Sequence, residues 1–205
     1  MRRTLLILVA IGVAVGVQRS CAERAVLQPP GMIAPDEPEQ SSLTRADARS
    51  FEFEGFQLAP QAGYRLSARL LGRKHYRLGR EAELSPVDFA LGWGAMSDTA
   101  VLDALDIGQS GRFFWVRWAS EPPIPPKEIF LSAANTHLIP ADDTVRAALD
   151  RMRPGQVVHL QGLLVNASTA DGWRWNSSLV RSDQGAGACE LFWVSEAWID
   201  NESKT

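Results

Sequence analysis

Hydrophobic positions follow three different patterns along the chain. From Thr4 to Val17 they run as fourteen residues without charge or proline, behind Arg2 and Arg3. From Phe51 they alternate with polar residues, first over Phe51–Glu54 and again over Tyr64–Leu70, the period of a half-buried strand. Between Val145 and Met152 they recur at i, i+3, i+4 and i+7 through Ala148 and Leu149, which is one face of a helix. These patterns predict a β hairpin turning near Pro60–Gly63 and a helix from Asp142 or Asp143 to Met152, stopped by Pro154-Gly155.

The intervening segments fill in the rest. A short strand is expected at His75–Leu78. Ser85-Pro86-Val87-Asp88 carries helix-start residues, so one or two helical turns are expected to end at the Gly92-Trp93-Gly94 group. Val101, Leu102 and Leu105 suggest a helix capped by Ser97-Asp98, and Arg112–Trp118 reads as an aromatic strand. The prolines at 122, 123, 125 and 126 require an irregular loop. Three strands should follow the clear helix, at Gln156–Val165, Trp173–Val180 and Cys189–Trp198, joined by turn-forming glycines. The sum is an α+β, β-dominant fold with a small barrel-like antiparallel sheet. One clear helix before the fourth strand fits the oligonucleotide/oligosaccharide-binding (OB-like) type, and a long insertion runs from about Ser85 to Pro140.

The unbroken apolar run sets the domain plan. A basic start and an apolar stretch of this length match a signal peptide, whose core has about 7–15 residues, whereas a membrane-spanning helix needs roughly 17–25. Ser20 and Ala22 would suit a cut after Ala22; a retained anchor with snorkelling arginines is the other reading, and both remain open. Cys21 lacks the apolar and small pair that precedes a lipid-modified cysteine. Residues 1–22 are therefore signal peptide or anchor, 23–50 a proline-rich tether and 51–200 a globular β-rich domain. The expected setting is periplasmic: anchored in the inner membrane by the N-terminal segment, or secreted across it.

Charge narrows the partners. The chain carries −3, and the part after residue 22 carries −6, because the leader removes three arginines and no acids. An acidic body is poorly matched to phosphate, so no nucleic acid is expected. Two cysteines make no disulfide framework; Cys189 in Ala188–Val194 reads as a core hydrophobe without a basic sequence neighbour to activate it. No His-x-x-x-His pair, Cys-x-x-Cys or calcium loop is present, and Met96 with His137 is too little for copper, so neither metal nor cofactor is expected.

Three groups of residues could carry chemistry. Trp93, Met96, Ser97 and Asp98 surround a glycine-flanked tryptophan. Asn135, Thr136 and His137 form a polar triplet between apolar residues, read as a loop, where histidine serves as base, ligand or structural link. Trp173 and Trp175 alternate with Arg174 and Asn176, so the two indoles share a strand face.

The segments SPVDFALGWGAMSD, SAANTHLIPA, RPGQVVHLQGLLV and GWRWNSSLVRSDQGAGACELFWV resemble those of a family of small exported or single-pass membrane proteins of proteobacteria. The resemblance covers about Phe51 to Trp198. It implies a bacterial envelope setting and carries no activity. The functional expectation is a non-catalytic binding or assembly module that meets a protein partner in the envelope through Trp93, Met96, Ser97, Asp98, Asn135, Thr136 and His137. The alternative is an exported hydrolase with His137 as base, Ser97 or Ser177 as nucleophile and Asp98 or Asp183 as orienting carboxylate.

Overall fold

The computed structural model describes residues 24–180 and 189–200. The leader, Cys21 and Asp183 lie outside the described residues. No helix among the described residues is long and apolar enough to cross a membrane.

The described residues form ten strands and four helices, in order: β1 Glu39–Ser41, β2 Phe51–Phe53, β3 Phe56–His75, α1 Arg80–Leu84, β4 Val87–Gly92, a 3-10 turn Gly94–Ser97, α2 Thr99–Leu102, β5 Asp106–Ser110, β6 Phe113–Arg117, α3 Pro126–Leu131, β7 Ala133–Pro140, α4 Asp143–Arg151, β8 Val157–Ser168, β9 Arg174–Trp175 and β10 Leu191–Ile199. The sheet is mixed. It runs β3-β4-β7-β10-β8 and returns to β3, because β3 also pairs with β8 over Gln57–Arg69. Among the described strands only β7 and β10 pair in parallel. The ring is uneven, with a 20-residue β3 bulged at Pro60/Ala62 and Leu70/Gly72, and it places α4 before its fourth strand in chain order.

Alternation along the ring strands builds the main core. Leu66, Ala68, Leu70, Phe89, Leu91, Leu138, Leu160 and Phe192 point inward, and Val145, Ala148 and Leu149 of α4 close one end. The helix starts where Asp142 accepts a hydrogen bond from the Val145 amide at 2.9 Å. The 85–140 insertion contains β4, β7 and an appended β5–β6 hairpin, which covers a satellite core of Met96, Ile129 and Ala133.

Several elements differ from the sequence expectation. Residues 85–94 are a strand followed by a 3-10 turn: Pro86 biases Ser85 toward extended backbone, and Val87, Phe89 and Leu91 then alternate into the core. Pro60–Gly63 is a bulge inside β3, and the hairpin turn is Glu54-Gly55, both with positive φ. His75 ends β3 and 76–79 is not a strand; β9 keeps only two residues of the expected 173–180 strand.

The proline-rich segment lies along the domain from residue 26 to 41. The Val26 amide donates to Pro154 O at 2.7 Å, Ser97 Oγ accepts from the Ile33 and Ala34 amides, and β1 pairs with β3. Gly155, at φ +91°, lies so close that an added Cβ would overlap the Val26 carbonyl. Gly155→Ala should cost about 1–2 kcal/mol from the left-handed backbone alone and loosen this strap. Faster hydrogen exchange at the Val26 amide checks it; unchanged exchange would show that the strap is not held there.

Candidate functional site

Two neighbouring ring strands bring the polar groups together. Asp88 pairs with His137 and Ala90 with Asn135 across β4 and β7, so Asp88, Asn135 and His137 share the face opposite Phe89, Leu91 and Leu138. The polar triplet is thus part of a central strand, not a loop. Asp88 is 0% exposed and His137 5%.

A buried carboxylate requires partners, and Asp88 has them. Arg112 donates from its Nη1 to Oδ1 at 2.9 Å, Asn135 donates from Nδ2 to Oδ2 at 3.2 Å, and His137 Nδ1 lies 3.0 Å from Oδ2. The histidine contact falls outside hydrogen-bond alignment, so the ring is held beside the carboxylate without a hydrogen bond to it. Asn135 is fully used: Nδ2 also reaches Arg112 O at 3.0 Å, and Oδ1 accepts from Gln109 Nε2 at 2.7 Å.

Arg112 reaches this cluster because of the β5–β6 hairpin. Gly111 and Arg112 form a two-residue turn with φ of +57° and +67°, the geometry that matches the twist of a tight hairpin. A non-glycine residue there is strained. The side chain compensates through Asp88, a 3.0 Å bond to Ser85 O, and stacking over the Tyr76 ring at 4.1 Å and the Trp175 ring at 5.1 Å. The Arg112 amide donates to the Tyr76 hydroxyl. Burial first, and the Asp88 charge next, raise the Tyr76 pKa.

Above this floor opens a cleft of about 470 Å³, within the size range of small-ligand sites. Tyr76 and Leu78 come from the connection between the first two ring strands; Trp175, Asn176 and Cys189 come from the connection between the last two. Phe113 and His137 complete it. Trp175 packs against His137 with ring centroids 4.9 Å apart and against Trp173 at 6.1 Å. Nδ1 faces Asp88, and the described residues give Nε2 no hydrogen bond, which leaves it available to the cleft. The Cys189 thiol is pushed up to about 12, by burial first and then by the Glu190 and Asp88 charges, so it stays protonated at neutral pH.

The other residues singled out from sequence lie elsewhere. Trp93 is 1% exposed in the main core and Met96 is fully buried in the satellite core. Ser97 Oγ donates to Gly94 O and accepts from the strap amides. Asp98 caps α2 through the Ala100 amide and also accepts from the Gly31 amide, and these two bonds lower its pKa. Thr136 is fully buried, its hydroxyl unpartnered among the described residues. Ser177 Oγ donates to Ser178 O and accepts from the Leu191 amide, tying the last loop to β10.

Sequence reasoning missed Asp88, Arg112 and Tyr76. The alternation of Val87, Phe89 and Leu91 around Asp88 was the available signal. It also missed a second polar chain, in which Ser67 Oγ lies 2.8 Å from His159 Nδ1 and His159 Nε2 lies 2.8 Å from Asp200, with His159 stacked on Trp198. The residue types are those of a hydrolytic relay, but the ring nitrogens are reversed relative to the serine-protease arrangement. The Asp200 side chain is 68% exposed, so solvent screens its hold on the ring.

No protein-family model, no curated protein and no solved structure matches the chain.

Proposed function

We propose that the protein is a non-catalytic binding module of the bacterial envelope whose ligand seats in the cleft over Asp88. The observation that carries this reading is His137: almost fully buried, held against a carboxylate with no exposure, and left with one ring nitrogen for the cleft. Convergent polar groups beneath aromatic walls are the usual make-up of a ligand site. The fold supports the same place by analogy, since OB-type barrels bind at the face of their second and third strands, between the loops that follow the first and fourth. The acidic charge of the body argues against nucleic acid as the occupant.

The basic start and apolar run support export, with the folded part at the outer face of the inner membrane, anchored or released. The resemblance to proteobacterial exported proteins supports the same setting. A protein partner in the envelope would present its contacting group to this cleft; Trp93 and Met96 are buried and serve the cores.

A hydrolase is the second reading, favoured by the approach of Asp88 to His137, which suits an oriented base. It must activate water, because the Ser97 and Ser177 hydroxyls are engaged in structural bonds and Cys189 is held as a thiol.

The test is a ligand screen on the full chain in mild detergent, read by tryptophan fluorescence and thermal shift. Any ligand found should bind roughly 30-fold more weakly to Trp175→Ala, the loss expected for an anchoring aromatic. Binding that survives both Trp175→Ala and His137→Ala in folded protein would place the site elsewhere. Turnover of the ligand would favour the hydrolase.

A further inference from the structure

The strap begins close behind the leader. Its Val26 amide donates to Pro154 O, Gln28 Nε2 donates to Gly155 O, the Gln28 carbonyl accepts from Thr99 Oγ1, and the Ala34 carbonyl accepts from the Gly94 amide. The apolar leader run ends at Val17, so eight residues separate it from Val26. Fully extended, that link reaches about 30 Å. A chain free as far as Phe51 would reach about 110 Å. Bonding residues 26–41 to the domain therefore removes most of the length that a proline-rich tether over 23–50 would supply.

The strap also fixes which side of the domain stands at the end of the link. Beside residues 25–28 opens a groove of about 380 Å³, lined by Leu70 and Leu71 of β3, Leu102 of α2, Leu105, and Ile107 of β5. Three strands lead from this side to the cleft. β3 passes Leu71 at the groove and ends next to Tyr76 in the cleft. β5 passes Ile107 at the groove and ends next to Gly111 in the cleft. β4 starts at the cleft floor with Asp88 and leads to Gly94 under the strap. Steps of four to six residues along these strands, at about 3.3 Å each, put groove side and cleft roughly 13–20 Å apart.

Resting on the export reading above, in its anchored form, we propose that the leader is retained and that the domain sits directly on the outer surface of the inner membrane, groove side against the lipid and cleft facing the aqueous phase beyond. The bilayer then covers the groove, and the cleft takes its ligand from the aqueous side. Asp103 and Asp106 stand at the groove, so attraction to anionic lipid does not hold this side down. The short link does. Fourteen apolar residues fall short of the roughly 20 that a bilayer takes, so the anchor draws on its flanks and shortens the link further.

Photo-crosslinking of the full chain tests this in vesicles of phosphatidylethanolamine and phosphatidylglycerol with a trace of radiolabelled phosphatidylethanolamine. Ala104→p-benzoylphenylalanine places the probe at an exposed position between Asp103 and Leu105 of the groove, far from the leader in sequence. Leu78→p-benzoylphenylalanine places it at the cleft, on a residue 92% exposed. Lipid adduct at 104 should exceed that at 78 by at least about tenfold, given the separation of roughly 13–20 Å. Asp103→p-benzoylphenylalanine replaces the first variant if that one misfolds. A Gly/Ser spacer of about 20 residues between Ala22 and Glu23 should lower the adduct at 104 about sixfold, because effective concentration falls with the −3/2 power of link length. Equal adducts at 104 and 78, adduct at neither, or an adduct at 104 that the spacer leaves unchanged overturns the inference. A chain cut after Ala22, found by mass spectrometry of the envelope, overturns it and leaves export standing. An intact chain in the cytosol overturns both. The ligand screen with Trp175→Ala is read separately, so binding at the cleft stands or falls by itself.

Discussion

Replacing Asp88 with alanine will destabilise the domain by about 3–5 kcal/mol, the cost of removing one member of a buried ion pair. Arg112, whose side chain is only 16% exposed, would keep its charge between Tyr76 and Trp175 with no carboxylate facing it. Asn135 would lose one of the two acceptors of its Nδ2 group. The hairpin turn at Gly111-Arg112 would then retain its positive backbone angles without the side-chain anchor that offsets them. Asp88→Asn keeps the shape and one oxygen for Arg112, so its loss should be smaller. Urea unfolding of both variants measures this. A loss below about 1 kcal/mol for Asp88→Ala would show that Arg112 regains water through the cleft and that the pair contributes little to stability.

Asp88 was hard to see in the sequence for a physical reason. All six residues of β4 are buried, so the strand has no solvent face, and the alternation that marks a half-buried strand is muted. Serine, proline and aspartate at its start are shared by helix and strand beginnings, and the helical choice hid the carboxylate. Asn135, Thr136 and His137 were legible because polar residues inside an apolar run need a reason wherever they fall. Their partners were not legible, since Asp88 and Arg112 reach them through cross-strand register and a hairpin 23 to 49 residues away. The Trp93–Asp98 group misled in the other direction: its residues complete two cores, a cap and a strap anchor.

The β-dominant class and the clear helix could be read from periodicity alone; the ring strands ahead of that helix could not, because β4 reads as helical turns and β7 as a loop. Asp142 and the apolar face of α4 are local signals, and local signals survive folding. The length of β3 could not be read, because Pro60 and Gly63 are turn residues by composition and are carried here by a bulge and by pairing with β8 and β1. Backbone hydrogen bonds hold residues 26–41 along the domain, and a proline-rich composition gives no hint of such bonds.

Gly162 is where the ring tolerates least. It lies on β8, opposite Tyr64 of β3 and Val194 of β10, beside the bulge between Val194 and Glu196. A Cβ at this position would overlap the Trp193 carbonyl oxygen and stand 3.0 Å from the Ser195 amide nitrogen. Both obstacles are backbone, so no side chain can swing aside; the strands must separate, and ladder bonds go with them. Gly162→Ala should therefore cost about 3 kcal/mol, the upper part of the usual range for overpacking, and lower the melting temperature by about 6–12 °C for a domain of this size. Gly172→Ala isolates the other cost a glycine can avoid. It has φ +95° and open space around its Cβ, so it carries backbone strain without crowding, about 1–2 kcal/mol. Thermal unfolding of the two variants side by side separates the effects. A Gly172→Ala loss equal to or larger than that of Gly162→Ala would mean that the β10 bulge yields, and that the β8–β10 contact is not the tight point of the ring.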